Sequence, residues 1–306
     1  MTQSTNTILM VRPADFRANE ETAVNNYFQD TETVNKDTNL LAKAEFDNAV
    51  KTLEAAGVQV IVVEDSGKFD TPDSIFPNNV ISFHDDKAIL YPMFAANRRR
   101  EIFLGHLGIL EKHGIKFKTI KDYSLYADQE IFLEGTGILI LDRENKIAYC
   151  SISERANESL VQLYCEDNGY QPIIFHATQE VEQQRLPIYH TNVMMALGSK
   201  FCVICLNSIQ NTEEQNQLIQ SLESTQKTII PISEAQIHRF CGNILELKNK
   251  DDETLIVMSE QSYKAFSEEQ KQQLSNFGQL VYMPIYTIEK FGGGSIRCMI
   301  AEVFHT

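Results

Sequence analysis

The chain has 306 residues, 43% of them apolar and 23% charged, which is the composition of a packed globular protein. A chain of this length buries roughly three-quarters of its unfolded surface. Fourteen glycines and eight prolines are too few for a collagen-like or low-complexity protein. With 27 basic against 42 acidic residues the net charge is −15, a field that repels phosphate backbones and excludes nucleic acid as the expected partner.

The polar start, Met1 to Asn6, has neither the basic opening nor the apolar stretch of a signal peptide. No apolar run reaches the roughly 20 residues of a bilayer span. The expectation is a cytoplasmic protein with no membrane partner, whose six cysteines (Cys150, Cys165, Cys202, Cys205, Cys241 and Cys298) are thiols. No stretch reads as a linker, so one domain covering 1–306 is expected. A strand over Thr7–Val11 is followed by a helical stripe over Leu40–Ala56, with apolar residues at 41, 42, 46, 50, 53 and 56. Strands follow at Val58–Glu64 and Ala88–Met93, a helix at Asn97–Lys112, and strands at Ile115–Ile120 and Gly137–Asp142. Next come a helix at Ser153–Tyr164, strands at Pro172–His176 and Phe201–Leu206, and a helix at Thr212–Leu222. Strands at Thr228–Ile232 and Thr254–Met258, a helix at Ser267–Phe277 and a strand at Gln279–Pro284 complete the series. Ser267-Glu268-Glu269-Gln270 has the form of a capping box. Several strands are apolar at every position, which suits burial on both faces. The rhythm is α/β, a loosely repeated ββαβ unit without a visible sequence repeat.

Chemistry-bearing residues stand at the breaks in this rhythm. Gly292-Gly293-Gly294 places Cys298 at the mouth of a glycine loop, opening the apolar run CMIAEV. Arg297 would favour its thiolate if the guanidinium pointed the same way; an ordinary buried strand cysteine is the alternative. Cys202 and Cys205 match Cys-x-x-Cys but lie in an apolar strand, where i and i+3 face opposite ways, so they read as core. His190, at the edge of an apolar segment, is a general base or a hydrogen-bonded core histidine. The histidines and cysteines lack metal-ligand spacing, so no metal site is expected. Glu134 precedes a Gly-x-Gly turn that leads into a strand, so it is no dinucleotide fingerprint. Asp73, Asn78 and Asn79 lie on a stiff Pro-containing loop. Arg98, Arg99 and Arg155 open helices, where a cation is unfavourable, and this hints at carboxylate partners.

Taken in order, these residues are much more specific than any one of them. Val11-Arg12-Pro13, TPDSIFPNN, LEGTG, IYHTNVMM, GNILEL and GGGSIRCM resemble the guanidino-group-modifying enzymes: arginine deiminase, dimethylarginine dimethylaminohydrolase and the amidinotransferases. The resemblance is to the arginine-deiminase-related branch of citrulline utilisation hydrolases in particular, from about Met10 to Val303. One departure is Val80, where the resemblance leads us to expect tryptophan; it touches local packing or substrate fit. The fold implied is a pentein, a five-bladed α/β propeller of pseudo-fivefold ββαβ units with a central active site.

The resemblance implies Cys298 as nucleophile and His190 as proton donor and then acceptor. Glu134 would orient His190 and accept a substrate N–H. Arg155 and Arg99 (or Arg98) would grip an α-carboxylate, and Asp73 would touch substrate or hold its loop, with Asn78 beside it. Arginine-specific relatives carry carboxylates where this chain has Asn79 and Asn192. An asparagine amide complements a neutral ureido group, whereas a buried carboxylate facing one would lack its counter-charge. The expected reaction is therefore citrulline to ornithine, carbon dioxide and ammonia, with no cofactor. The alternatives are an arginine deiminase or methylarginine hydrolase giving citrulline, or a non-catalytic binding protein. The expected partner is a small amino acid, and a homodimer is compatible with the reading.

Overall fold

The computed structural model describes residues 2–30 and 37–305. In chain order it contains β1 (Thr7–Arg12), α1 (Thr38–Ala55), β2 (Gln59–Glu64), β3 (Ile81–His84), β4 (Lys87–Leu90), α2 (His106–Lys112) and β5 (Thr119–Asp122). There follow α3 (Gly135–Ile138), β6 (Ile140–Asp142), β7 (Ile147–Ser151), α4 (Glu158–Asn168), β8 (Gln171–Phe175), β9 (Thr178–Val181) and β10 (Gln184–Pro187). The second half has β11 (Met195–Leu197), β12 (Phe201–Ile204), α5 (Thr212–Ser224), β13 (Thr228–Pro231), α6 (Glu234–Ile237), β14 (Leu245–Lys248) and β15 (Thr254–Ser259). It closes with α7 (Glu260–Ala265), α8 (Glu268–Ser275), β16 (Gln279–Met283), α9 (Tyr286–Gly292) and β17 (Ala301–Glu302).

Among the described residues the strands form five three-stranded sheets, β17-β1-β2, β3-β4-β5, β6-β7-β8, β11-β12-β13 and β14-β15-β16, and the hairpin β9-β10. Every three-stranded sheet has the same wiring. Its middle strand pairs antiparallel with the first and parallel with the third, and helix crosses between the two parallel strands. The first unit joins both ends of the chain: Ile8 pairs with Glu302 and Thr7 with Gln59.

Burial follows the apolar pattern strand by strand. The middle strand β12 and the first strands β3, β6 and β11 are buried at every residue, as their continuous apolar runs require. Third strands alternate between buried and half-buried residues, as in β2 and β8. The capping box at Ser267 and Gln270 is formed, and α8 starts there. All six cysteines are free thiols and buried.

Several expected elements change at glycines and at turns. The helix over 97–112 is two pieces, a 3-10 turn at Arg98–Phe103 and α2, broken at Gly105, whose φ is +85°. The helix expected from Ser153 starts at Glu158, where Asn157 caps it by accepting from the Ser159 N–H. The strand expected over Ile115–Ile120 overlaps β5 only at its last two residues, and that over Gly137–Asp142 is only β6, because 135–138 coil into α3. Cys298 lies on a turn and the strand begins at Ala301, so the sulfur belongs to the loop and not to the sheet.

Candidate active site

The site is built from the five segments that precede the first strands of the five sheets. Asn79 ends the 3-10 turn before β3, Glu134 and Gly137 stand before β6, and His190 and Asn192 before β11. Asn243 stands before β14 and Cys298 before β17. Each unit thus delivers a side chain, or the space of a glycine, to the same place. A small cavity lies there, lined among others by Asp73, Asn79, Arg98, Arg155, His190 and Cys298.

Glu134 and His190 form the most sharply defined pair. Both are buried, and the His190 Nε2 lies 2.7 Å from the Glu134 Oε2. Burial alone would raise the Glu134 pKa, but Arg155, the His190 hydrogen bond and Arg98 together hold it well below the ordinary carboxylate range. An ionised carboxylate only accepts, so Nε2 carries the hydrogen and Nδ1 keeps its lone pair. Burial pushes the His190 pKa down to about 4 against the raising pull of Glu134, so the ring is neutral at pH 7. The other Glu134 oxygen accepts from the Phe94 N–H at 3.0 Å.

Two glycines allow this convergence. Gly135, at φ +46°, passes so close to the Asn78 carbonyl that a Cβ would collide with it and sit 2.7 Å from the Asn79 carbonyl oxygen. A Cβ on Gly137 would collide with Asn79 Nδ2 and stand 2.9 Å from His190 Nδ1. The Leu-Glu-Gly-Thr-Gly stretch is therefore a device for close approach.

The buried arginines are held by acceptors within the protein. Arg98 donates to both Glu101 oxygens at 2.8 and 3.0 Å, to Phe76 O at 3.0 Å and to Asn79 Oδ1 at 3.0 Å, with Asp73 Oδ2 at 3.9 Å. Arg155 donates to Asn25 Oδ1, to Thr22 O at 2.9 Å and to Glu134 Oε2 at 3.5 Å. Protein acceptors hold most of the donors of both, and both line the cavity. Arg99 turns from the cavity to the Met93 and Phe94 carbonyls. The sequence hint that these arginines have carboxylate partners holds for Arg98 and Arg155, with the partners inside the protein. Asn78 is buried behind the cavity, 3.4 Å from Thr136 Oγ1. Val80 is fully buried where it continues the 3-10 turn into β3, donating its N–H to Pro77 O.

Around the sulfur, Asn192 Nδ2 donates at 3.4 Å and Asn243 Nδ2 at 3.3 Å, and the thiol itself lies as a donor 3.7 Å from Asn243 Oδ1. Arg297 points away: its guanidinium donates to Glu302 and to Ile300 O, so the adjacency in sequence does not become an ion pair with the thiol. Asp73 accepts from Asn19 at 2.8 Å and Thr22 at 3.2 Å; burial raises its pKa, only partly offset by Arg98, Asn19 and Arg155.

Sequence reasoning missed Asn243 and the 19–26 segment, whose Asn19, Thr22, Asn25 and Asn26 cover the cavity through Asp73, Arg155, Gly292 and Gly293. Asn243 had a signal. Asn79-Val80-Ile81, Asn192-Val193-Met194 and Asn243-Ile244-Leu245 repeat an asparagine just before an apolar first strand.

A family model described as N,N dimethylarginine dimethylhydrolase, eukaryotic, matches residues 12–305. No curated protein sequence matches the chain. Among solved structures, the substrate-bound N-terminal domain of ArgZ, an arginine dihydrolase from the ornithine–ammonia cycle in cyanobacteria, is 17% identical, with a TM-score of 0.72 over 98% of each chain. Apo ArgZ gives 15% identity and a TM-score of 0.75 over 98% of this chain, which spans only 41% of that one. A dimethylarginine dimethylaminohydrolase adduct with S-methyl-L-thiocitrulline is 13% identical, with a TM-score of 0.62 over 97% of this chain and 98% of that one. At these identities the likeness is one of fold, a mixed α/β architecture shared with these enzymes.

Proposed function

The chain belongs to the N,N-dimethylarginine dimethylhydrolase family of guanidino-group-modifying hydrolases, and on that premise we propose that it hydrolyses a C–N bond of citrulline. In this reading its five ββαβ units close into a pentein ring around the cavity, and the chain acts as one catalytic domain. The observation that carries the substrate choice is the set of buried polar atoms without a partner. Asp73 Oδ1, Asn192 Oδ1 and Asn79 Nδ2 are such atoms, two acceptors and one donor. Arg98 can only donate, so it fixes the Asn79 oxygen toward itself and leaves Nδ2 as the donor. A ureido group offers N–H on both sides and one carbonyl, which satisfies all three. A guanidinium offers donors alone and would leave Nδ2 unmatched, a cost of about 1–3 kcal/mol.

The steps follow from the tautomer. Cys298 attacks the ureido carbon, its thiol proton passing to the neutral His190 at Nδ1. As the bond to the δ-nitrogen breaks, that proton moves to the nitrogen and ornithine leaves, with a carbamoyl thioester on Cys298. Water then attacks the thioester and gives a proton to His190; the C–S bond breaks, the Cys298 sulfur takes that proton back, and carbamate leaves and decomposes to carbon dioxide and ammonia. Glu134 stabilises the imidazolium that forms twice in this cycle.

A second reading takes arginine, methylated or not, as the substrate. It draws on the unpaired Asp73 oxygen, a carboxylate suited to a cation, and on the arginine dihydrolase name of the fold neighbours. The test is incubation of the protein with citrulline, arginine and dimethylarginine, with products identified by mass. Ornithine from citrulline, absent in Cys298→Ser with its circular dichroism unchanged, is the expected result. Much faster consumption of arginine or dimethylarginine refutes the substrate choice; activity retained by Cys298→Ser refutes the nucleophile.

A further inference from the structure

The proposed reaction passes a proton between two side chains far apart in sequence, the Cys298 thiol and the His190 ring. Among the described residues their hydrogen bonds are not with each other. The ring bonds to Glu134, and the sulfur meets the Asn192 and Asn243 amides. The distance between thiol and imidazole is therefore set by the segments that carry them.

Two ties to the sulfur's loop bracket His190. Two residues after it, Asn192 Nδ2 donates to the Cys298 sulfur at 3.4 Å. One residue before it, the Tyr189 hydroxyl donates to the Gly293 carbonyl at 2.6 Å. A carbonyl only accepts, so the direction of this bond is fixed. Gly293 closes α9 at φ +61° and opens the loop that leads to Cys298. Within that loop the Ser295 hydroxyl donates to Glu289 Oε1 at 2.6 Å, and the Ser295 carbonyl accepts the Cys298 N–H at 2.9 Å. The chain is thus held at several points between the carbonyl that Tyr189 grips and the sulfur. Tyr189 is itself buried and fixed. Its ring centroid stands 4.6 Å from that of His190 and 4.8 Å from the Arg155 guanidinium carbon, and its backbone carbonyl accepts from the Ser153 hydroxyl at 2.8 Å. Tyr189, His190, Gly293 and Cys298 all line the same cavity.

We propose that Tyr189 is a positioning residue for the proton transfer between Cys298 and His190. Its ring packs against the imidazole and its hydroxyl holds the loop of the sulfur, so one stiff side chain sets the spacing of both. This deepens the reading of Cys298 and His190 as the reacting pair and rests on it. Proton transfer needs heavy atoms within about 2.6–3.2 Å, so a slip of a few tenths of an ångström in either segment is felt in the rate. Phenylalanine is the diagnostic replacement. It keeps the ring against His190 and Arg155 and removes only the hydroxyl. The Gly293 carbonyl retains Asn26 Nδ2 at 3.4 Å, so Tyr189→Phe folds.

The test reads the pair without substrate. Iodoacetamide alkylates Cys298 of the full chain at neutral pH: the sulfur bonds to the acetamide carbon, iodide leaves, and the thiol proton passes to His190. The rate is followed on the Cys298 peptide by mass in wild type, Tyr189→Phe, His190→Gln and the double variant, with folding checked by circular dichroism. Tyr189→Phe is expected to slow alkylation about tenfold when His190 is present and by less than about twofold in the His190→Gln background, because spacing to an absent base cannot matter. With citrulline, kcat of Tyr189→Phe is expected to fall about tenfold while KM stays within about twofold of wild type. A hydroxyl that only stabilises the fold gives the same loss in both backgrounds. Equal losses, or none, overturn the proposal and leave the reacting pair standing. Alkylation that does not depend on His190 overturns the pair, and the proposal with it. A loss confined to the His190 background in a protein that consumes neither citrulline nor arginine sinks the proposed reaction and leaves the role of Tyr189 intact.

Discussion

Gly137 offers the sharpest test of how the site is assembled. Its φ lies outside the left-handed region, so alanine there brings no backbone strain, only one methyl group. That methyl would collide with Asn79 Nδ2 and stand 2.9 Å from His190 Nδ1 and 3.1 Å from His190 Cε1. Ordinary contacts need about 3.5–4.0 Å, so a side chain has to move by roughly 1 Å. Neither is free to do so cheaply. Asn79 is tied to Arg98 at 3.0 Å, and Arg98 in turn to Glu101 and Phe76 O; His190 is tied to Glu134 at 2.7 Å. Overpacking of this kind costs about 1–3 kcal/mol, or a few degrees in Tm. A displacement of about 1 Å at reacting groups costs about 100-fold in rate. The expected outcome for Gly137→Ala is a folded protein, melting a few degrees lower, with kcat/KM for citrulline down about 100-fold, measured by thermal circular dichroism and ornithine chromatography. A variant with wild-type kcat/KM would show that Asn79 and His190 need not sit where the glycine lets them, and the argument from close approach would fail.

Asn79→Asp replaces the one unmatched donor in the cavity by an acceptor. The citrulline kcat/KM is expected to fall by about 10- to 100-fold and the ratio of arginine to citrulline turnover to rise, read from initial rates on both amino acids; an unchanged ratio contradicts the complementarity argument. Glu289 is buried, has an oxygen without a partner, and has its pKa pushed up to about 7 by burial, against the hydrogen bonds from Ser259 and Ser295. A raised carboxyl contributes stability below its unfolded pKa and loses it as pH rises through the folded one. Glu289→Gln is therefore expected to gain stability over wild type between pH 5 and 8, by up to about 3 kcal/mol, in denaturant titrations at the two pH values. A constant difference between the two proteins would refute this.

The strand and helix rhythm was legible in the sequence because it is local. Short apolar, β-branched runs such as Phe201–Ile204 suit strands buried on both faces, and a serine with glutamine three residues on caps the helix that starts at Glu268. Asn79, Glu134, His190 and Cys298, singled out from the sequence, each stand at a break before a first strand, where side chains are free of sheet packing. The cavity joins Asp73, Asn79, His190 and Cys298 as their order suggested, with Glu134 behind the imidazole. Turns defeated local reasoning where glycines approach other backbones, as in α3, since nothing near residue 135 in sequence announces Asn78.

What only the tertiary structure decided is direction. The arginines were found, but whether Arg155 faces substrate or protein depends on Asn25, 130 residues away. The orientation of the Asn79 amide depends on Arg98, and the hydrogen aimed at Cys298 on an asparagine 55 residues before it. Side-chain rotation costs little in an unfolded chain, so no periodicity records which way a polar group will point. That is settled when burial removes water and each donor must find an acceptor in whichever unit lies opposite.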